Sequence, residues 1–188
     1  MDGFLENAIR EFRRMKALGD GALAQAPDTE LTRALDSESN SLAVLVRHLS
    51  GNMLSRWTDF LETDGEKPWR NRDGEFAERT GAERAELIAA WEEGWRCLFR
   101  ALDGLGDDDL GRAVRIRGEE LTVLQAILRQ VSHYGYHVGQ MVFLARHLVG
   151  PAWTSLSIPR GASGTFHAAP TGYLQDPPAA GTLPDQTR

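Results

Sequence analysis

The chain has 188 residues, a formal net charge of −6 and a sequence pI near 5.4. This length predicts one compact domain, and the acidic balance gives no electrostatic footprint for nucleic acid or for an anionic membrane surface. There is no apolar run near the ~20 residues of a membrane span and no signal-peptide pattern, and the single cysteine excludes an intramolecular disulfide framework, so we expect a cytoplasmic protein.

Apolar periodicity predicts four long helices in chain order. The first covers 4–19 and is expected to end at its glycine, and the second runs from about 36 to 61. The third covers 87–102, with apolar residues spaced by three and four. Alternation over 114–121 predicts a short β-hairpin, and a Thr-x-x-Gln capping box then opens the last helix, which runs over 123–148.

These elements predict an all-α four-helix bundle, with a small β-hairpin before the last helix and an irregular C-terminal tail. We assign 1–150 to the bundle and 151–188 to an extension that is partly packed, with little fixed structure beyond about Phe166. The apolar segment 153–159 is expected to fold back along its own bundle or across a neighbouring subunit of a homodimer, and both arrangements stay open.

Two histidines four residues apart, His133 and His137, carry the most information in the sequence. Residues i and i+4 lie one above the other on a helix, and both imidazoles fall in the apolar stripe of the last predicted helix. A buried pair is either hydrogen-bonded within the core or binds one transition-metal ion, because neutral imidazole is a good ligand. The stacking of the two on one core face favours the metal.

The third ligand is expected from the second predicted helix. His48 shares a line with Asn52 and Ser55 there, whereas His147 and His167 lie too far along the last helix or in the tail. Small polar residues along one face of a helix, next to its apolar face, indicate a solvent-filled cavity between helices. Three histidines would leave coordination positions open, as in catalytic metal sites. Neither histidine helix carries the Glu-x-x-His motif of a di-iron bundle, which excludes that class of site.

Two motifs resemble those of the DinB-like (YfiT-like) metal-dependent proteins: His48 with Gly51-Asn52, and His133-x-x-x-His137-x-Gly139-Gln140. Segments 57–73 and 153–161 look like an uncharacterised branch of that superfamily, and the resemblance covers nearly the whole chain to residue 161. It implies a four-helix bundle, a metal triad on His48, His133 and His137, a divalent cation (zinc or nickel) and frequent dimers. Characterised members of the superfamily include transferases and isomerases that use low-molecular-weight thiols.

Two function classes stay open. In the first, the protein is a metal-dependent enzyme with an open three-histidine site, either a thiol-dependent transferase or a hydrolase-like enzyme. It would act on a small-molecule substrate or a low-molecular-weight thiol. In the second, it is a non-catalytic bundle that binds a metal or a small molecule, with a stress-related role.

Several polar residues are candidates for contact with substrate or for orienting the ligands. Asn52, Gln140 and Tyr134 are the first of these, and Ser55 and Gln130 are expected to line the pocket with them. The alternative for Asn52 is an ordinary buried amide bond, and for Tyr134 packing in the core.

An arginine group and the cysteine each have more than one interpretation. Arg56, Arg70 and Arg72 either meet an anionic thiol or carboxylate, or lie in a solvated loop paired with Glu66 and Asp73. Cys97 is either a small core residue or a reactive thiol. Because it lies off the apolar stripe of its helix, we expect a water molecule or an exogenous thiol as the fourth ligand, and closure of the site by Cys97 would instead indicate a structural metal.

Overall fold

The computed structural model describes residues 3–77 and 83–168. In those ranges the chain is mostly helical, with one small antiparallel hairpin, as the sequence predicts. The elements are α1 (Phe4–Gln25), α2 (Leu42–Trp57), α3 (Arg72–Glu75), α4 (Arg84–Asp103), β1 (Ala113–Ile116), β2 (Glu119–Thr122), α5 (Val123–Val149) and α6 (Ser163–Ala168). None of the helices in the described ranges has the length and apolar character of a membrane span.

The four long helices pack as a bundle in which α2 lies mainly against α4, and α1 mainly against α5. Large side chains fill the interior, and Phe12, Trp95 and Tyr134 meet there in edge or tilted ring contacts with centroids 5.8–6.4 Å apart. Such contacts add to the free energy gained from burying the rings. The core therefore holds α2 and α5, the two helices that carry the candidate histidines, at fixed separation.

The first helix does not end at Gly19, as the sequence predicts, but continues to Gln25. Gly19 lies where α1 crosses α4, and a Cβ atom at this position would clash with the Trp91 ring, standing 2.8 Å from its Cη2 atom and closer still to Cζ2. Glycine is therefore present to allow a close approach of two helices rather than to terminate one.

The second helix is shorter at both ends than its apolar pattern predicts. It begins at Leu42 rather than near residue 36, because the Ser41 hydroxyl caps it by accepting a hydrogen bond of 3.3 Å from the Val44 amide. It ends at Trp57 rather than near residue 61, where Thr58 turns to extended backbone and Asp59 adopts a φ of 46°.

The hairpin pairs Val114 with Leu121, and its turn consists of Arg117 and Gly118, both with positive φ. Residues 58–77 form the described part of the segment that joins α2 to α4, here called the α2–α4 connection. Asp64 in this connection accepts hydrogen bonds of 2.8 and 2.7 Å from the amides of these two turn residues. Burial tends to raise the pKa of Asp64, but its bonds to backbone amides outweigh this and lower it. The hairpin is thus fastened to the α2–α4 connection.

The start of α5 and the end of the described chain both match their predicted behaviour in part. Thr122 and Gln125 form the expected capping box, with reciprocal bonds of 3.2 and 2.8 Å. Residues 153–156 pack on α1 of the same chain, where Gln25 exchanges two hydrogen bonds with the Thr154 backbone. Little fixed structure is predicted beyond about Phe166, but α6 continues to Ala168, and the rest of that segment lies outside the described residues.

Candidate metal centre

Three histidines from two helices converge at one point between α2 and α5. One ring nitrogen from each of His48, His133 and His137 lies within 4.8 Å of the others. The Nε2 atoms of His48 and His133 are 3.2 Å apart. The structure therefore brings together the three residues that the sequence singled out, in a group that could hold one metal ion. His147 and His167 are exposed and lie outside this group.

Two of the three rings are oriented by acceptors on their far side. His48 Nδ1 donates to Glu75 Oε2 at 2.9 Å, and His137 Nδ1 donates to Gln140 Oε1 at 2.8 Å. Because a carboxylate can only accept, the His48 proton sits on Nδ1 and the Nε2 lone pair is left for the cluster. Metal-binding histidines usually have such a partner on the other nitrogen. Gln140 thus orients a candidate ligand in this structure.

Glu75, at the end of α3, is the functional residue that the sequence reasoning missed. Its two oxygens accept from Arg70 Nε at 2.8 Å and Arg70 Nη2 at 2.9 Å, while Oε2 also meets His48. A Cβ atom at Gly51 would stand 2.9 Å from the Glu75 carboxyl carbon. A glycine inside α2, three residues after His48, was the available signal that another group approaches there.

Burial and charge keep two of the candidate ligands, His133 and His137, in the neutral form that binds metal. Burial, together with the nearby His137 and His48 rings and the arginine charges, lowers the pKa of His133 to about 3. Burial likewise lowers the pKa of His137, although its bond to Gln140 partly opposes this. Burial tends to raise the pKa of Glu75, but its bonds to His48 and Arg70 outweigh it and lower the pKa, so the carboxylate is ionised. Neutral imidazoles backed by an ionised carboxylate are a suitable donor set for a divalent metal.

A cavity of about 350 Å³ opens beside the three histidines. The described residues that line it are His48, Asn52, Arg56, Arg70, Arg72, Phe76, Arg117, Arg129, Gln130, His133 and His137. Asn52 and Gln130 therefore face the site, as expected from their places on the two helices. The Gln130 side-chain oxygen is buried and has no hydrogen-bond partner among the described residues.

Ser55 and Tyr134, also expected at the pocket, lie elsewhere. The Ser55 hydroxyl is buried and donates to the Gly65 carbonyl at 2.8 Å, which holds the α2–α4 connection. Tyr134 is fully buried in the core, where it accepts from Trp57 Nε1 and donates to Asn52 Oδ1, both at 3.1 Å. Tyr134 thus lies on the core side of α5 and not on the cavity side, and its hydroxyl holds Asn52 in place through this hydrogen bond.

The arginine group divides into buried and exposed members. The side chains of Arg56 and Arg70 are 4% and 2% exposed, so they do not belong to a solvated loop. Arg56 pairs with Glu66 at 3.0 Å, as one interpretation of the sequence has it, but Arg70 pairs most closely with Glu75. Arg72 is exposed, and its guanidinium lies 5.0 Å from the centroid of the Phe76 ring.

Cys97 lies away from the histidine cluster. It is buried on α4, with its sulfur 3.5 Å from the Thr58 hydroxyl, and it lines a separate cavity of about 420 Å³. Among the described residues, neither this thiol nor any carboxylate joins the three histidines as a further member of the cluster.

Comparison with curated proteins and with solved structures finds no match. A family model does match, and it covers residues 1–162, which is most of the chain. The family is described as "Protein of unknown function (DUF1572)". The four long helices, the hairpin and the histidine cluster all lie within the matched residues, and the chain belongs to this DUF1572 family.

Proposed function

We propose that this chain is a metal-dependent enzyme of the DinB-like (YfiT-like) superfamily, with His48, His133 and His137 as the ligands of one divalent ion. The observation that carries the proposal is the convergence of three buried or half-buried imidazoles beside a cavity of about 350 Å³. Zinc and nickel are the ions we propose, since both bind imidazole nitrogen well.

The open side of the cluster favours catalysis over a purely structural role. Structural zinc sites are closed by four protein ligands, whereas catalytic sites use three and leave a position for substrate or solvent. Here no fourth histidine, cysteine or carboxylate joins the group within the described ranges, and Cys97 faces a different cavity. This arrangement supports a thiol-dependent transferase or a hydrolase-like reaction on a small molecule.

Each residue of the site then has a defined part. The three histidines hold the ion, while Glu75 and Gln140 fix two of the rings by accepting from Nδ1. The ion, when bound, supplies Lewis acidity and lowers the pKa of a thiol or a water molecule. Asn52, which lines the cavity and is itself held by Tyr134, is placed to contact the substrate.

Elemental analysis of the purified full chain tests the metal. We expect about one zinc or nickel per chain in the wild type and loss of that metal in a His48→Ala/His133→Ala double variant. A His147→Ala/His167→Ala double variant is the matched control, because both of these rings are exposed and outside the cluster. Equal metal content in the wild type and the His48→Ala/His133→Ala variant would refute the proposal.

A screen of the metal-loaded chain separates an enzyme from a binding protein. It would combine low-molecular-weight thiols with electrophilic acceptors, and ester or amide substrates with water. We expect turnover that disappears with the metal and with His133→Ala. A loaded chain that binds metal but turns over none of these substrates favours the non-catalytic alternative.

A further inference from the structure

The cavity beside the histidines has an unusual lining. Five arginines contribute to it: Arg56, Arg70, Arg72, Arg117 and Arg129. They come from α2, from the α2–α4 connection with α3, from the hairpin turn and from α5, so four separate parts of the fold bring cations to one place. No aspartate or glutamate is present among the described residues that line the cavity.

The two buried arginines have more donors than their protein partners satisfy. Arg56 bonds to the Gly65 carbonyl and to Glu66, and Arg70 makes its two bonds to Glu75. Within the described chain, Arg56 Nε and Arg70 Nη1 have no hydrogen-bond partner, although Glu66 Oε1 lies 3.7 Å from Arg70 Nη1. A buried donor without a hydrogen bond costs free energy, and both side chains line the cavity, so each guanidinium retains donor capacity for a further acceptor.

The three exposed arginines of the lining have few carboxylate partners between them. Arg117 shares Glu66 at 2.8 Å with Arg56, and Arg129 is 3.8 Å from Glu119. No carboxylate of the described residues lies within 4.0 Å of Arg72, whose guanidinium instead covers the Phe76 ring. Three carboxylates thus face five guanidinium groups, and the excess of positive charge adds to that of any bound divalent ion.

We propose that this cavity binds an oxyanion group of the substrate, a carboxylate or a phosphate, through the arginines of its lining. The planar guanidinium fork binds both groups in a bidentate manner, which lysine cannot reproduce. The inference rests on the proposed function, since the oxyanion would hold the reacting part of the molecule beside the three histidines. Glu75 joins the two regions, because one carboxylate contacts both His48 and Arg70.

The test is isothermal titration calorimetry of the full chain, zinc-loaded and zinc-free, with succinate, inorganic phosphate and the neutral analogue succinamide. The variant is Arg72→Gln/Arg129→Gln, which removes two exposed charges and leaves the buried ion pairs intact. Arg146→Gln is the matched control, because this arginine is exposed on the same helix as Arg129 and does not line the cavity. Circular dichroism and thermal unfolding establish that each variant is folded.

We expect succinate or phosphate to bind with and without zinc, and succinamide not to bind. The double variant should bind the anion about tenfold more weakly or worse, as the loss of charge-assisted bonds requires, with no change in Arg146→Gln. A preference for succinate identifies a carboxylate substrate, and a preference for phosphate a phosphorylated one. The proposal is overturned if neither anion binds, if the double variant binds as the wild type does, or if binding requires zinc and ignores the arginines. Because the zinc-free arm does not depend on the metal, failure of metal binding would be recognised separately.

Discussion

Replacement of Glu75 by glutamine separates the two roles that this carboxylate has in the structure. Glu75 makes three charge-assisted contacts at 2.8–2.9 Å, one to His48 and two to Arg70. Glutamine keeps the shape but has one acceptor oxygen, and its NH₂ group would face a donor. Loss of a group that supports a metal ligand typically lowers metal affinity about 10- to 100-fold, which corresponds to about 1.4–2.7 kcal/mol.

The same change should also destabilise the fold, because Arg70 is only 2% exposed at its side chain. Removing one partner of a buried ion pair costs about 3–5 kcal/mol. Since glutamine retains one acceptor, we expect about 3 kcal/mol, measured by urea denaturation of the metal-free chain. Metal affinity would be measured by competition with a chromophoric chelator, at a temperature where the variant is fully folded.

Glu66→Gln is the matched control for this experiment. Glu66 also pairs with buried and exposed arginines of the cavity, namely Arg56, Arg70 and Arg117, but it does not contact a histidine of the cluster. We expect it to reduce stability and to leave metal affinity within about threefold of the wild type. If Glu75→Gln binds metal as tightly as the wild type does, or if the two variants lose affinity equally, the orienting role of Glu75 is refuted.

Three further predictions concern the fold and its assembly. Gly19→Ala should destabilise the chain by about 1–3 kcal/mol in urea denaturation, because the new Cβ meets an indole ring; Gly139→Ala, with nothing within 4 Å, should be neutral or stabilising. The lowered pKa of Asp64 contributes stability that is present above its unfolded value near 3.8 and is lost as the pH falls through the folded value. Asp64→Asn should therefore flatten the acid limb of the pH–stability curve, and an unchanged limb would contradict this. Tyr136 and Phe143 are 64% and 68% exposed on α5, so we expect this apolar surface to be covered in a homodimer. Light scattering should then give a mass of about twice 20.8 kDa, and a mass of one chain would contradict the prediction.

The features that sequence reasoning predicted are those set by local signals. The Thr122–Gln125 capping box is complete within four residues, and the spacing of His133 and His137 fixes their common face in any α-helix. Gly19 was misinterpreted because the reason for it is Trp91, 72 positions further along the chain, and no local pattern records that contact.

Glu75, the carboxylate that supports His48, was not predicted because its contact with that histidine also joins distant parts of the chain. Glu75 reaches His48 only because the α2–α4 connection folds back over α2, and that path is set by tertiary bonds such as the one from Lys67 N to Ser55 Oγ. A line of small polar residues correctly indicated a polar surface on α2. It could not distinguish Asn52, which faces the cavity, from Ser55, which binds the connection.

The division of the site between bundle and connection gives the fold a modular character. The bundle helices α2 and α5 carry all three histidines, whereas the connection and α3 carry Arg70, Arg72 and Glu75. A relative that kept the helices but carried a different connection would keep the three histidines, while the carboxylate behind His48 and two of the five cavity arginines would change. Chimaeras that swap this segment between members of the family would therefore separate what the helices contribute to the site from what the connection contributes.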